Sequence, residues 1–277
     1  MNIGCHISIA KGIDKAPEIA DNLGCEAMQI FTHSPSGGPI ADISDGVAKK
    51  FKAELKKRNI KAVYVHAPYY INLASKNNRV YHGSISALRK NLDRASLLGA
   101  TYLMTHLGSS GDMEEKEMLG KIKDGFGEIF EGYKGSAKLL IENSAGAGKT
   151  IGSDFKQIGA ILKIAKKYPD LAGVCLDTQH SFASGYNWSG GFDSCVKELD
   201  KHIGIKNVKL FHLNDSATEF NSHKDRHANI GKGKIGMKGF EKLVAFAQKN
   251  DIDMICETPH PGVANDIKIL KEMQNEK

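Results

Sequence analysis

No stretch of these 277 residues is long and apolar enough to cross a bilayer; no run approaches the roughly 18 residues that a spanning helix needs. The start, Met1-Asn-Ile-Gly-Cys-His6, lacks the basic segment and apolar block of a secretory leader. Cysteine is scarce. Its five copies are an odd number with no Cys-x-x-Cys spacing, which argues against a disulfide framework. Cys5, Cys175 and Cys256 fall inside apolar runs, where a small buried thiol is expected, and Cys25 and Cys195 read as incidental. An Arg-rich tail, an RS or RGG segment, an interdomain linker and low-complexity sequence are all missing. The expectation is a cytoplasmic protein that meets any partner with its folded body. In that compartment the Asn187-Trp-Ser189 sequon carries no meaning.

The chain is 41% hydrophobic and 25% charged, the profile of a soluble globular protein. A net charge of +6 is compatible with a phosphate-bearing partner and does not require one. Eight short apolar runs recur: Ile3–Ile7, Ala27–Phe31, Ala62–His66, Tyr102–Leu107, Leu139–Glu142, Ala172–Asp177, Val208–Leu213 and Met254–Glu257. Their near-continuous hydrophobicity suits parallel strands covered on both faces. Between them the apolar spacing is helical, as in Ile85, Leu88, Leu92 and Ala95, in Phe155, Ile158, Leu162 and Ala165, and in Phe240, Leu243, Val244 and Ala247. Gly99 marks a helix end, and Ser153-Asp154 a helix start. Eight alternations predict one (β/α)₈ TIM barrel over residues 1–277, with a doubly wound open sheet as the alternative. Two polar stretches, Ser34–Ser44 and Ala145–Ser153, read as loops over its mouth.

Two motifs invite a nucleotide and fail on context. Gly231-Lys-Gly-Lys-Ile-Gly236 matches G-x-G-x-x-G, but a dinucleotide fingerprint must follow a buried strand, and Asp225-Arg-His-Ala-Asn-Ile230 is not one. Gly148-Lys-Thr150 imitates the tail of a phosphate-binding loop, but the position of its first glycine holds Asn143.

The informative pattern is what stands at the ends of the runs. His66, His106, Glu142, Asp177, His212 and Glu257 close six consecutive ones. In a closed barrel these ends converge on one face, where active sites of this architecture lie. A lone strand-end histidine is usually just hydrogen-bonded. Six imidazoles and carboxylates together repel or stay unsatisfied without cations. His180, Asp225 and His227 join from loops, making nine candidate ligands, more than one ion can take. Two or three ions suit in-line displacement at phosphorus, with water activated and the phosphate and leaving oxygen neutralised. No nucleophilic Ser or Cys dyad is visible. His6 ends the first run and is a further candidate for the mouth, whereas His33, His82, His202, His223 and His260 read as surface residues.

These residues resemble the endonuclease IV family of apurinic/apyrimidinic DNA endonucleases. The stretches that carry the likeness are Ile3-Gly-Cys-His-Ile-Ser8, His66-Ala-Pro-Tyr-Tyr-Ile-Asn-Leu73, Thr105-His-Leu-Gly-Ser109 and Ile141-Glu-Asn-Ser-Ala-Gly-Ala-Gly148. Then come Val174-Cys-Leu-Asp-Thr-Gln-His180, Phe211-His-Leu-Asn-Asp-Ser216, the segment Asp225–Gly236 and Ile255-Cys-Glu-Thr258. The resemblance implies three zinc ions, with manganese or iron acceptable at some positions. By motif, one would take His66, His106 and Glu142, a second Glu142, Asp177, His212 and Glu257, and a third His180, Asp225 and His227. On that scheme Glu142 orients the attacking water, Asp177 and His180 serve different ions, and Arg226 assists with phosphate charge. The implied reaction is hydrolysis of the phosphodiester 5′ to an abasic site in double-stranded DNA, leaving a 3′-hydroxyl, with 3′-end trimming as a further activity of a monomeric enzyme.

One departure stands out. Relatives typically carry, after the second strand, an arginine and a large aromatic that enter the DNA stack. Here that loop is His33-Ser-Pro-Ser-Gly-Gly-Pro39. A wedge compensates unstacking by filling the gap, and glycines cannot. Tyr69, at the DNA-contacting tyrosine position, is retained. The rival expectation is a divalent-metal sugar isomerase or epimerase on the same barrel, which would leave His180 and Asp225-Arg-His227 without a task.

Overall fold

The structure, a computed structural model, describes residues 1–38 and 40–276; Pro39, the last residue of the glycine-bearing loop, and Lys277 lie outside them. Among the described residues there are ten strands: β1 (Ile3–His6), β2 (Ala27–Ile30), β3 (Ala62–His66), β4 (Tyr102–Thr105), β5 (Lys138–Glu142), β6 (Leu171–Asp177), β7 (Val208–His212), β8 (Asp215–Ser216), β9 (His227–Ala228) and β10 (Asp253–Cys256). The helices are α1 (Ala16–Asn22), α2 (Asp45–Lys57), α3 (Asn78–Leu98), α4 (Glu115–Phe130), α5 (Phe155–Ala165), α6 (Thr178–Ala183), α7 (Phe192–His202), α8 (Met237–Lys249) and α9 (Val263–Asn275). Eight strands pair in parallel and close in the order β1-β10-β7-β6-β5-β4-β3-β2, which is the expected TIM barrel and excludes an open sheet. The short β8 and β9 form a separate antiparallel pair.

Local chemistry explains the alternation. Asn77 accepts hydrogen bonds from the N–H groups of Arg79 and Val80 to start α3, and Gly99, at φ +76°, ends it. Asp154 caps α5 through the Lys156 N–H. The longer helices turn an apolar face to the sheet, so Leu88 and Leu92 of α3, Phe155 and Ile158 of α5, and Phe240 and Leu243 of α8 are all buried. Gly4 is required by close approach, because a Cβ there would lie 1.7 Å from the Ala27 carbonyl oxygen. The barrel interior is filled by Ala27, Tyr64, Met104, Leu140, Cys175, Leu210 and Ile255, a compact apolar layer. Cys25, which reads as incidental in the sequence, is buried with its Sγ 3.6 Å from that of Cys5, and Cys195 is buried too.

Several strands stop sooner than their apolar runs. β4 ends at Thr105 and β10 at Cys256, so His106 and Glu257 sit one residue beyond the sheet. Hydrophobicity continues past the last ladder bond because the emerging chain is still covered by the mouth.

Candidate metal centre

Side chains alternate along a strand, so the residue two beyond each member of the apolar layer also points into the barrel. That step leads from Ala27 to Gln29, from Tyr64 to His66 and from Met104 to His106. It leads likewise from Leu140 to Glu142, Cys175 to Asp177, Leu210 to His212 and Ile255 to Glu257, with His6 two beyond Gly4. The second layer is therefore polar throughout, and Gln29, Glu142, Asp177 and His212 are completely buried.

Within it the potential ligand atoms fall into three groups, each spanning no more than 4.8 Å. One comprises His66, His106 and Glu142, and another Glu142, Asp177, His212 and Glu257. The last comprises Asp177, His180 and His227. Asp225 lies alongside this last group, its carboxylate oxygens 3.4 Å from His180 Nε2 and 3.3 Å from His227 Nε2. The geometry thus places Asp177 beside His180, where the family scheme divides them between ions. Helix capping is the cause: Asp177 Oδ1 accepts the His180 N–H at 2.7 Å and starts α6.

The imidazoles are oriented by their outer nitrogens. His66 Nδ1 donates to the Ala67 carbonyl, His180 Nδ1 to that of Asn143, and His227 Nδ1 to that of Glu257. His212 Nε2 donates to Gln29 Oε1 at 2.7 Å, which leaves Nδ1 facing Glu142 Oε1 at 2.8 Å. In each neutral ring the inward nitrogen is then an acceptor. His66 Nε2 stands 2.9 Å from Glu142 Oε2, acceptor against acceptor, so a proton or a metal ion must lie between them. His106 has a buried Nδ1 with no hydrogen-bond partner among the described residues. Imidazoles held through the far nitrogen and converging on carboxylates are the arrangement of a metal site, and these residues fit divalent ions.

Without metal, the same crowding moves protons. Burial pushes the Glu142 carboxyl up, but His106, His212 and His66 outweigh it and hold the group well below the usual range. Burial pulls His180 down, yet Asp177, Asp225 and Glu142 raise it to about 10. Burial likewise opposes ionisation of Asp225, which the facing His180 and His227 nevertheless lower to about 2. Burial keeps His106 and His6 below the ordinary histidine value.

Sequence reading passed over three amides. Gln29 donates to Glu257 Oε1 at 2.6 Å and to His6 Nδ1 at 2.9 Å, besides holding His212. Asn214 donates to Asp177 Oδ2 at 2.7 Å and accepts the Glu257 N–H. Asn143 pairs with the backbone of Asp177. The available signal for Gln29 was its place in the inward register of β2.

A cleft of about 920 Å³ opens above the layer, lined among others by His6, Phe31, Tyr69, Arg226 and Pro259. His33 and His260, expected on the surface, also line it, and His33 is half-buried against Asn91. Tyr69 is 68% exposed with its ring edge toward Phe31, and Arg226 donates to the Asp225 carbonyl. The Gly231–Gly236 loop binds an anion, but the anion is internal. The Asp215 carboxylate accepts the N–H groups of Gly233, Ile235 and Gly236, tying down the segment that follows β9.

Fold and site together define a class. Residues 17–275 match the family model described as xylose isomerase-like TIM barrel. The chain is 36% identical over 279 residues to the probable endonuclease 4 of Halothermothrix orenii, covering all of both chains. It is 38% identical to the probable endonuclease 4 of Nitrosopumilus maritimus, covering 98% of each. The crystal structure of endonuclease IV from Thermus thermophilus superposes with a TM-score of 0.88 at 30% identity, over all of both chains. Within the barrel class, the chain belongs to the endonuclease IV family.

Proposed function

We propose that this chain is a DNA repair endonuclease that hydrolyses the phosphodiester 5′ to an abasic site, using three divalent ions, zinc above all. The observation that carries the reading is the polar layer itself, in which three overlapping ligand groups meet beneath one cleft and share Glu142 and Asp177. Ions held there would activate water and neutralise the phosphate and the leaving oxygen. Glu142, buried and facing His66 and His212, is held ionised to receive and orient the water. His180, Asp225 and His227 sit together at the cleft wall, with Arg226 beside them to meet phosphate charge. A one- or two-ion sugar isomerase gives that wall no task. His6, tied to Gln29, lines the cleft at the same layer, which supports its reading as a DNA contact.

Because Gly37 and Gly38 have nothing to insert, abasic-site extrusion either depends more on Tyr69 than in relatives with a wedge-bearing loop or is less efficient. Single-turnover cleavage by Tyr69→Ala should slow by about tenfold or more, stacking on an aromatic being worth roughly 1–3 kcal/mol. An unchanged rate would remove Tyr69 from the account. The deciding experiment is incision of a synthetic abasic duplex with and without chelator, alongside metal analysis of the purified protein. Cleavage abolished by chelator, with about three ions per chain, is expected; no cleavage at micromolar enzyme overturns the reading.

A further inference from the structure

Among the described residues, the lining of the cleft above the metal-competent layer holds one permanently charged cation, Arg226. A denser group of lysines lies at the other end of the barrel. Two adjoining depressions of about 460 and 450 Å³, which share Pro169, Leu171 and Ala172, are lined by Lys163, Lys166 and Lys206 in one and by Lys138 and Lys209 in the other. Neither lining contains an aspartate or glutamate. Among the described residues, none of these five lysines stands within 4.0 Å of a carboxylate, although ion pairs engage Lys50, Lys57, Lys76, Lys90, Lys201, Lys234, Lys268 and Lys271 elsewhere. His202, at the edge, is already paired with Glu198.

The lysines come from separate elements. Lys138 opens β5, Lys209 lies early in β7, Lys206 is in the turn before it, Lys163 is in the last turn of α5 and Lys166 is its C-cap. Favourable interaction with a helix C-terminus accounts for the last two and leaves three unexplained. Lys138 Nζ reaches the Pro169 carbonyl at 3.4 Å, and Lys209 Nζ that of Lys206 at 2.6 Å, so two of the ammonium groups are fixed along the rim. Like charges that line adjoining depressions repel, and an anion laid along the rim would relieve that repulsion. The face is also remote from the metal-competent layer. β6 runs seven residues from Leu171 to Asp177, which at strand rise is about 20 Å.

We infer that the amino-terminal end of the barrel is a second DNA-binding surface, taking the phosphate backbone of an intact duplex segment while the mouth holds the damaged one. This rests on the reading that the chain works on DNA. Five lysines that pair with no carboxylate within 4.0 Å among the described residues, spread along a shallow rim where Asp170 is the acid nearest in sequence, suit a polyanion read by charge and not by sequence. The enzyme would then keep hold of neighbouring duplex after incision and pass between segments.

The test uses metal-loaded protein saturated with unlabelled incised abasic duplex, titrated with a labelled undamaged duplex and followed by anisotropy from about 50 to 300 mM salt. Uptake of a second duplex is expected, with a slope of log K on log salt of about −4.5 if all five lysines meet phosphates at about −0.9 each. The triple variant Lys163→Gln, Lys166→Gln, Lys206→Gln should flatten that slope by about 3 and weaken uptake at the lowest salt at least ~10-fold. Its incision of a short abasic duplex should match wild type, which also shows that it folds. No second duplex, or equal uptake by the variant, overturns the inference. Loss of incision by the wild-type protein would instead overturn the catalytic reading, so the two failures are distinguishable.

Discussion

Two layers of one barrel, a single pleat repeat apart, follow opposite rules. The lower, from Ala27 to Ile255, is apolar and satisfied by its own packing. The upper, from His6 to Glu257, sets buried carboxylates against imidazoles that are satisfied only by protons or cations. The same strands supply both, so the backbone cannot be what distinguishes them. The difference teaches where the protein stores stability and where it gives stability up for function: the lower layer holds the ring, and the ring holds charges that would otherwise separate.

The sharpest way to break this division is Glu142→Gln, which removes the charge shared by two ligand groups. Single-turnover incision should fall by at least ~10³-fold, with loss of bound metal and little change in melting temperature. Gln29→Ala comes next. Gln29 touches His212, Glu257 and His6 and is no ligand in any of the three groups, so its loss should cost about 10–100-fold in metal affinity or rate. Titration of metal into the apo-protein would show whether the loss is one of affinity.

Proton competition gives a graded version. His180 stays protonated below about 10 in the metal-free protein, and a metal takes only the neutral ring. Each pH unit lowered from about 9 to 6 should therefore weaken metal uptake by about tenfold through this residue, while Asp225, lowered to about 2, stays ionised throughout. Competition with a chelator across that range measures the slope; a flat profile would mean that His180 holds no ion. The mildest effect on chemistry belongs to the lower layer. Leu140→Ala should destabilise the fold by about 2–5 kcal/mol, yet leave incision by the folded fraction within a few-fold of wild type. If Leu140→Ala instead abolished metal binding, the two layers would not be separable.

Strands and candidate ligands were legible because they share a register. A buried apolar run that stops at a histidine or carboxylate marks both a strand and its end, as at Val65-His66 and Ile141-Glu142. Gln29 was hidden because a neutral amide is a much less common zinc ligand than an imidazole or carboxylate, and its contacts to His212 and Glu257 arise only when the ring closes and brings β7 and β10 to β2. The purpose of Gly231–Gly236 was hidden in the same way. The motif shows a nest for an anion, but nothing in its spacing shows that Asp215, sixteen residues before Gly231, fills it. The five lysines of the far end are spread over 72 positions, from 138 to 209, and no local window shows a basic patch. The reach of β4 and β10 was overestimated because burial persists beyond the last strand bond.

The order in which the ring closes has a consequence in time. β10 fits between β1 and β7 and leads directly into Glu257, so the last barrel strand to be synthesised completes the carboxylate set. A chain still emerging from the ribosome has most of the candidate ligands and not the closed ring that gathers them. On the proposed ligand set, a chain stopped short of the final strand lacks Glu257 and with it a complete second group.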